Sequence, residues 1–246
     1  MHVAHADAQV HQLISHLLET HLVMETTIIA THRALASSHV VFKLLSQHFA
    51  GTVAINEFGR MTLVSFVDPF VDVYQSIGFV GGMEIMTRRF HSPEYTFMET
   101  VPDQMARRGF KVPPAPATDW GGVDDEVPGF LYKDYSLPLW YLFRSYVRDA
   151  LATDPAFATS KSEASKTAAM QRDPQITAWF REMFDPLAGD LPLRNRADPR
   201  TSFSAFVDLL TQIIFQSSAQ HAAINFPQYE FLAFQPVRPL ALSRSM

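Results

Sequence analysis

His11, His16 and His21 recur at intervals of five near the start of the chain, and His221 and Asn225 stand four apart near its end. Imidazole nitrogens and an amide oxygen are neutral ligands suited to iron, manganese or zinc. Sites with several histidines and an open position serve oxygen chemistry on iron or water chemistry on zinc. Five residues turn a regular α-helix by about 500°, which leaves neighbouring members roughly 140° apart on different faces. A π-bulge, whose i→i+5 hydrogen bond brings residues five apart onto one face, would align them, and such bulges favour functional sites. The alternative is that these are ordinary polar-face or core histidines. His221 and Asn225 share a face without any irregularity, although a capping asparagine beside a core histidine gives the same spacing. Their neighbours Ile213, Ile214, Phe215, Ala222, Ala223, Ile224 and Phe226 would bury both polar groups, and a buried imidazole and amide require partners.

Composition narrows the chemistry further. The chain has 246 residues, 47% hydrophobic and 18% charged, which supports a substantial apolar core. Its lack of cysteine excludes disulfides, thiolate nucleophiles, iron–sulfur clusters and thiolate zinc sites. A net charge of −5 gives no footing for a nucleic-acid partner. His2, His5, His32, His39 and His48 join the first three histidines in the N-terminal fifth, an excess at one end. No His-Glu-x-x-His pattern, Gly-x-Ser-x-Gly elbow, P-loop or Gly-x-Gly-x-x-Gly fingerprint is present, and the Gly81-Gly82 pair is expected to form a turn. The N-terminus has neither a basic n-region nor an apolar h-region, so the default location is cytoplasmic. The longest uncharged stretch, Leu209 to Tyr229, carries too many amides and hydroxyls to face lipid.

The elements that must position these residues are helical. Apolar residues from Val10 to Ile29 recur at three- and four-residue steps without Gly or Pro, predicting one long helix over about Ala8 to Ala36. Further helices are expected over Val40 to Phe49, over part of Ile55 to Val73 with a break at Asp68-Pro69, and over Pro102 to Arg108 ahead of Gly109. Pro113, Pro114, Pro116, Gly121, Gly122, Pro128 and Gly129 make Lys111 to Gly129 a loop. Helix resumes at Leu137 to Ala152, and Thr153 to Arg172 reads as a surface excursion. Asp173-Pro174 opens a helix over Ile176 to Phe184, and a last long helix covers Ser202 to Asn225. The fold class is all-α.

The run HQLISHLLETHLVMETTIIATHRAL, continued by HVVFKLLSQHF and INEFGRMTLV, resembles the iron-ligand helix and following segment of lipoxygenases, and SSAQHAAINFPQY resembles their second ligand helix. PDQMARRGF and DYSLPLWYLFRSYV match the intervening region less strongly. The resemblance implies a mainly helical, partial catalytic domain holding one non-haem iron (Fe2+/Fe3+), with His16, His21, His221 and Asn225 as ligands. The five-residue step then fits the π-bulged helix of that family. Gln12 and Gln228 match positions that hydrogen-bond around the metal, and Leu17 and Leu63 match apolar positions that clamp the reacting methylene. Gly59 matches a position where the family carries Ala or Gly, and Gly there leans towards an R-configured hydroperoxide. The implied reaction inserts O2 into a polyunsaturated fatty acid with a cis,cis-1,4-pentadiene: ferric iron with bound hydroxide removes a hydrogen atom from the doubly allylic carbon, and dioxygen adds to the radical. No side chain need act as acid or base. Weak neutral ligands such as Asn225 help keep the ferric state oxidising, and the abundance of Phe (20), Met (10) and Leu has a second use in lining an acyl channel, although most of them are core. The membrane surface is then a source of substrate, and no protein partner is identifiable.

The sequence departs from that pattern in three places. Lipoxygenases complete the site with the carboxylate of a terminal isoleucine, whereas this sequence ends RPLALSRSM and Met246 does not match that position. Only 15 residues precede His16, and Pro227 stands where glycine is usual before the Gln-Tyr pair. Residues 1–246 are therefore expected to be an incomplete catalytic domain, without its N-terminal part and its C-terminal iron-ligand segment. The alternative to an oxygenase is a truncated, non-catalytic helical remnant that binds lipid without oxidising it. A histidine-rich zinc hydrolase lacks a base or nucleophile in place.

Overall fold

A computed structural model of the chain describes residues 12–63, 78–95, 97–112, 131–193 and 197–226. Among the described residues every regular element is helical, in keeping with the all-α expectation. The chain divides into two compact units, one formed by Met1–Ile29, Phe49–Tyr95 and Gln220–Met246, the other by Ala30–His48 and Thr96–Ala219.

In the first unit the described residues open with a π-helix, Gln12–Leu22, which runs directly into α1 (Val23–Ala34). The absence of Gly and Pro before Gly51 permits this continuity. Leu18, Val23, Met24 and Ile28 are buried along it. Two later helices pack against the π-helix: α3 (Thr52–Leu63) and α4 (Gly78–His91). On α4 the Arg89 guanidinium reaches Glu19 at 3.3 Å and lies 5.3 Å over the Tyr95 ring. Gly81 and Gly82, expected to form a turn, fall inside α4. Tertiary packing overrides the modest cost of about 1 kcal/mol that glycine carries in a helix.

The second unit contains α2 (Val40–Ser46), α5 (Val101–Arg107), α6 (Leu131–Leu151), α7 (Glu163–Arg172), α8 (Pro174–Phe184) and α9 (Phe203–Phe215). Its helix starts are set by side-chain caps. Thr100 accepts from Asp103 N–H, Ser162 from Ser165, Asp173 from Gln175 and Ile176, and Ser202 from Ala205. Gly109, at φ +87°, ends the α5 segment as the sequence pattern requires. The core is α9, on which Phe206, Leu209, Leu210, Ile213 and Ile214 are all buried, packed against α6. Trp140 Nε1 donates to Gln212 Oε1 at 3.0 Å, and Trp179 Nε1 to Thr31 Oγ1 at 3.0 Å.

One sequence expectation needs correction in this unit. Helix α6 starts at Leu131 rather than Leu137, because Pro138 is carried inside it. There the proline forfeits the hydrogen bond to the residue four before it and crowds that residue's carbonyl, while Leu137 and Trp140 anchor the helix in the core. Thr153 to Arg172, expected as a surface excursion, is largely exposed and contains a short 3-10 helix (Pro155–Phe157) and the capped helix α7. Met170 and Phe157 anchor that segment in the core, which the low mean hydropathy of its Ala- and Ser-rich sequence conceals. Lys111 to Gly129 lies almost wholly outside the described residues, as does the Asp68-Pro69 break. No helix among the described residues is long and apolar enough to cross a membrane.

Candidate metal centre

The π-helix decides what five-residue spacing does. Because its hydrogen bonds close over five residues, His16 and His21 come onto one face rather than diverging. Their Nε2 atoms are 3.2 Å apart and their rings meet at 65° with centroids 4.9 Å apart. A second π-helical turn, Gln216–Gln220, follows α9 and leads into the helical residues 221–226. It delivers His221, whose Nε2 is 3.0 Å from His21 Nε2. The ligand atoms of all three rings lie within 4.8 Å of one another, and all three side chains are half-buried. The sequence pattern called for an irregularity at the first histidine pair but not at the approach to His221.

The remaining expected site residues are placed as follows. Asn225 is half-buried one turn beyond His221 in the same helical segment, so it shares a face with that histidine. Leu17 is half-buried in the π-helix beside His16. Gly59 lies on α3, and a Cβ built there meets nothing within 4 Å. Leu63 ends α3 and Gln12 begins the π-helix. Gln228 and His11 lie outside the described residues.

Other histidines of the N-terminal excess have separate roles. His39 caps α2: its Nδ1 accepts from Val41 N–H at 3.2 Å while Nε2 faces Asp173 Oδ2 at 3.2 Å. His32 is exposed and meets the Phe42 ring edge-on.

Sequence reasoning missed a polar chain behind His21. Asn56 on α3 lies 2.7 Å from His21 Nδ1 through its Oδ1, and its Nδ2 donates to the His21 carbonyl and to Glu25 Oε2, each at 3.0 Å. Arg60 donates to both oxygens of Glu25, at 2.8 and 3.1 Å. That bidentate bond holds the Glu25 carboxyl below the usual carboxylate range, against the opposing effect of burial. Two i,i+4 pairs, His21 with Glu25 and Asn56 with Arg60, were the available signal.

The electrostatics suit a metal. Burial lowers the His21 pKa, more than the Asn56 hydrogen bond raises it. Burial and then the neighbouring His21 lower that of His221. Both rings are thus biased towards the neutral form a metal requires. Nitrogens about 2.1 Å from an ion are about 3.0 Å apart at right angles and about 3.4 Å apart at the tetrahedral angle. The observed 3.0 and 3.2 Å fall within that range. Three imidazoles without thiolate or a carboxylate in the cluster form a donor set suited to a borderline divalent ion.

A helical scaffold that gathers three histidines at ligand spacing, two of them through a π-helix, defines a class of histidine-rich helical folds with a candidate metal site. Within that class the chain belongs to the lipoxygenase family: the model described as Lipoxygenase matches residues 1–246. Over 243 residues it is 32% identical to Lipoxygenase 4, chloroplastic, of Arabidopsis thaliana, covering 99% of this chain and 25% of that protein. It is likewise 32% identical over 248 residues to Linoleate 9S-lipoxygenase 1 of Hordeum vulgare, covering 100% of this chain and 27% of that protein. Among solved structures, that of a coral 8R-lipoxygenase superposes with a TM-score of 0.78 at 29% identity, covering 99% of this chain and 34% of that one. The chain therefore spans about a quarter of the length of these curated relatives.

Proposed function

We propose that the protein is a non-haem iron dioxygenase that inserts O2 into polyunsaturated fatty acids containing a cis,cis-1,4-pentadiene, giving hydroperoxides. The observation that carries this reading is the convergence of His16, His21 and His221 from opposite ends of the chain at ligand spacing. In this reading those three residues and Asn225 hold the metal, with Gln12 and Gln228 supporting the ligand helices. When bound, the iron supplies the one-electron chemistry that removes a hydrogen atom from the doubly allylic carbon. Leu17 and Leu63 hold that methylene beside the site, and the half-buried surroundings of the histidines restrict water there. No side chain is assigned an acid or base role. The acyl chain comes from free fatty acid or from a membrane surface.

The test is elemental analysis of the purified protein, joined to conjugated-diene absorbance with linoleate under air. Iron near one per chain with diene formation is the expected result. Iron well below one per chain, no diene and retained binding of linoleate would instead identify a lipid-binding helical remnant.

Gly59 carries the stereochemical part of the proposal. Relatives named for S products and one named for an R product are similarly distant from this chain, so overall likeness does not choose the hand. A methyl group at residue 59 enters open space. Gly59→Ala therefore changes the volume offered to oxygen without forcing a neighbour to move. Chiral chromatography is expected to show mainly R hydroperoxide from the parent and a shift towards S from Gly59→Ala. An unchanged S:R ratio removes the assignment.

A further inference from the structure

Helix α3 is turned against its own amphipathicity. Ile55, Phe58 and Met61 are 56%, 67% and 63% exposed, whereas the polar Asn56 among them is 4% exposed. A buried amide without partners costs about 1–3 kcal/mol on mutational scales. Asn56 has a full set of partners, and their chemistry leaves one arrangement. The His21 carbonyl and the Glu25 carboxylate, both 3.0 Å from Nδ2, can only accept hydrogen bonds. They fix the NH2 end of the amide on their side and so turn Oδ1 to His21 Nδ1 at 2.7 Å. An oxygen acceptor at that distance requires the proton on Nδ1, which leaves a lone pair on Nε2, the atom that faces His16 and His221. Arg60 grips both oxygens of Glu25 and so anchors the acceptor that orients Asn56.

We infer that Asn56, braced by Glu25 and Arg60, is a positioning residue that sets the His21 ring in its Nδ1–H form and aims its Nε2 lone pair into the histidine cluster. This rests on the reading of that cluster as the metal centre. Partners of this kind, lying outside the ligands themselves, are typically worth 10–100-fold in metal affinity.

The tautomer is measured first on metal-free protein, by long-range 1H–15N correlation of the histidine rings with His21 assigned through His21→Ala. Binding is measured separately, by anaerobic competition of the protein for Fe2+ against a chelator. The unaltered protein is expected to show His21 with a protonated Nδ1 and a lone-pair Nε2. Asn56→Ala is expected to give a mixture of tautomers and to weaken Fe2+ binding by roughly 10–100-fold. The tautomer change is a readout that a merely structural role for Asn56 would not predict. A folded Asn56→Ala with an unshifted His21 spectrum and unchanged Fe2+ affinity overturns the inference. So does an Nε2–H form in the unaltered protein, which decides the matter even if Asn56→Ala does not fold. A protein that shows the tautomer change but binds no Fe2+ upholds the role of Asn56 and sinks the proposed function instead.

Discussion

On the proposed function, His21→Ala is expected to abolish both metal binding and diene formation. His21 is the hub of the cluster: its Nε2 is the atom that both His16 and His221 approach, at 3.2 and 3.0 Å. Removing the ring deletes a proposed ligand, so the loss of affinity should exceed the roughly 10–100-fold attached to an outer partner. It also strands the Asn56 carbonyl, a buried acceptor that loses its donor at a cost of about 1–3 kcal/mol. Metal content by elemental analysis and diene formation with linoleate should therefore both fall close to background, accompanied by a modest drop in melting temperature. His39→Ala is the matched control. That histidine caps α2 and faces Asp173, so its loss should cost about 1 kcal/mol of stability and leave the metal content unchanged. Unchanged metal in His21→Ala, or equal metal loss in both variants, would contradict the assignment.

Trp179→Ala is expected to give the largest loss of stability. Trp179 is fully buried on α8, with its ring against Phe180 and Phe206 and its Nε1 bonded to Thr31 Oγ1. Replacing it leaves a large cavity and removes the donor to a buried hydroxyl. Substitutions of this kind cost about 3–5 kcal/mol, a large share of the roughly 5–15 kcal/mol that stabilises a typical domain. Urea unfolding should show a markedly lower midpoint with a similar slope. A shift worth less than about 1 kcal/mol would mean that the site collapses around the missing ring.

These two residues differ in how far the sequence points to them. Trp179 sits on a helix whose start is written in Asp173-Pro174 and whose apolar residues follow the helical period. His21 is visible as a histidine five residues from another, a spacing that means different things in an α-helix and in a π-helix. The second π-helical turn before His221 has no comparable mark, since nothing in QSSAQ distinguishes it from an α-helical run. Helix α3 reads misleadingly. Its hydrophobic pattern would bury Ile55 and Phe58, but the fold buries Asn56 because His21 and Glu25 supply the partners a buried amide needs.

The sequence by itself determined the helical class, most helix ends and the residue types able to hold a metal without thiolate. Those follow from periodicity, caps and side-chain chemistry, all of which act within a few residues. Tertiary structure decided that His16, His21 and His221 meet, that α4 runs through Gly81-Gly82, and that the polar face of α3 turns inward. Each of these depends on which groups approach from distant parts of the chain, because burial rewards a polar group only when its partner arrives with it.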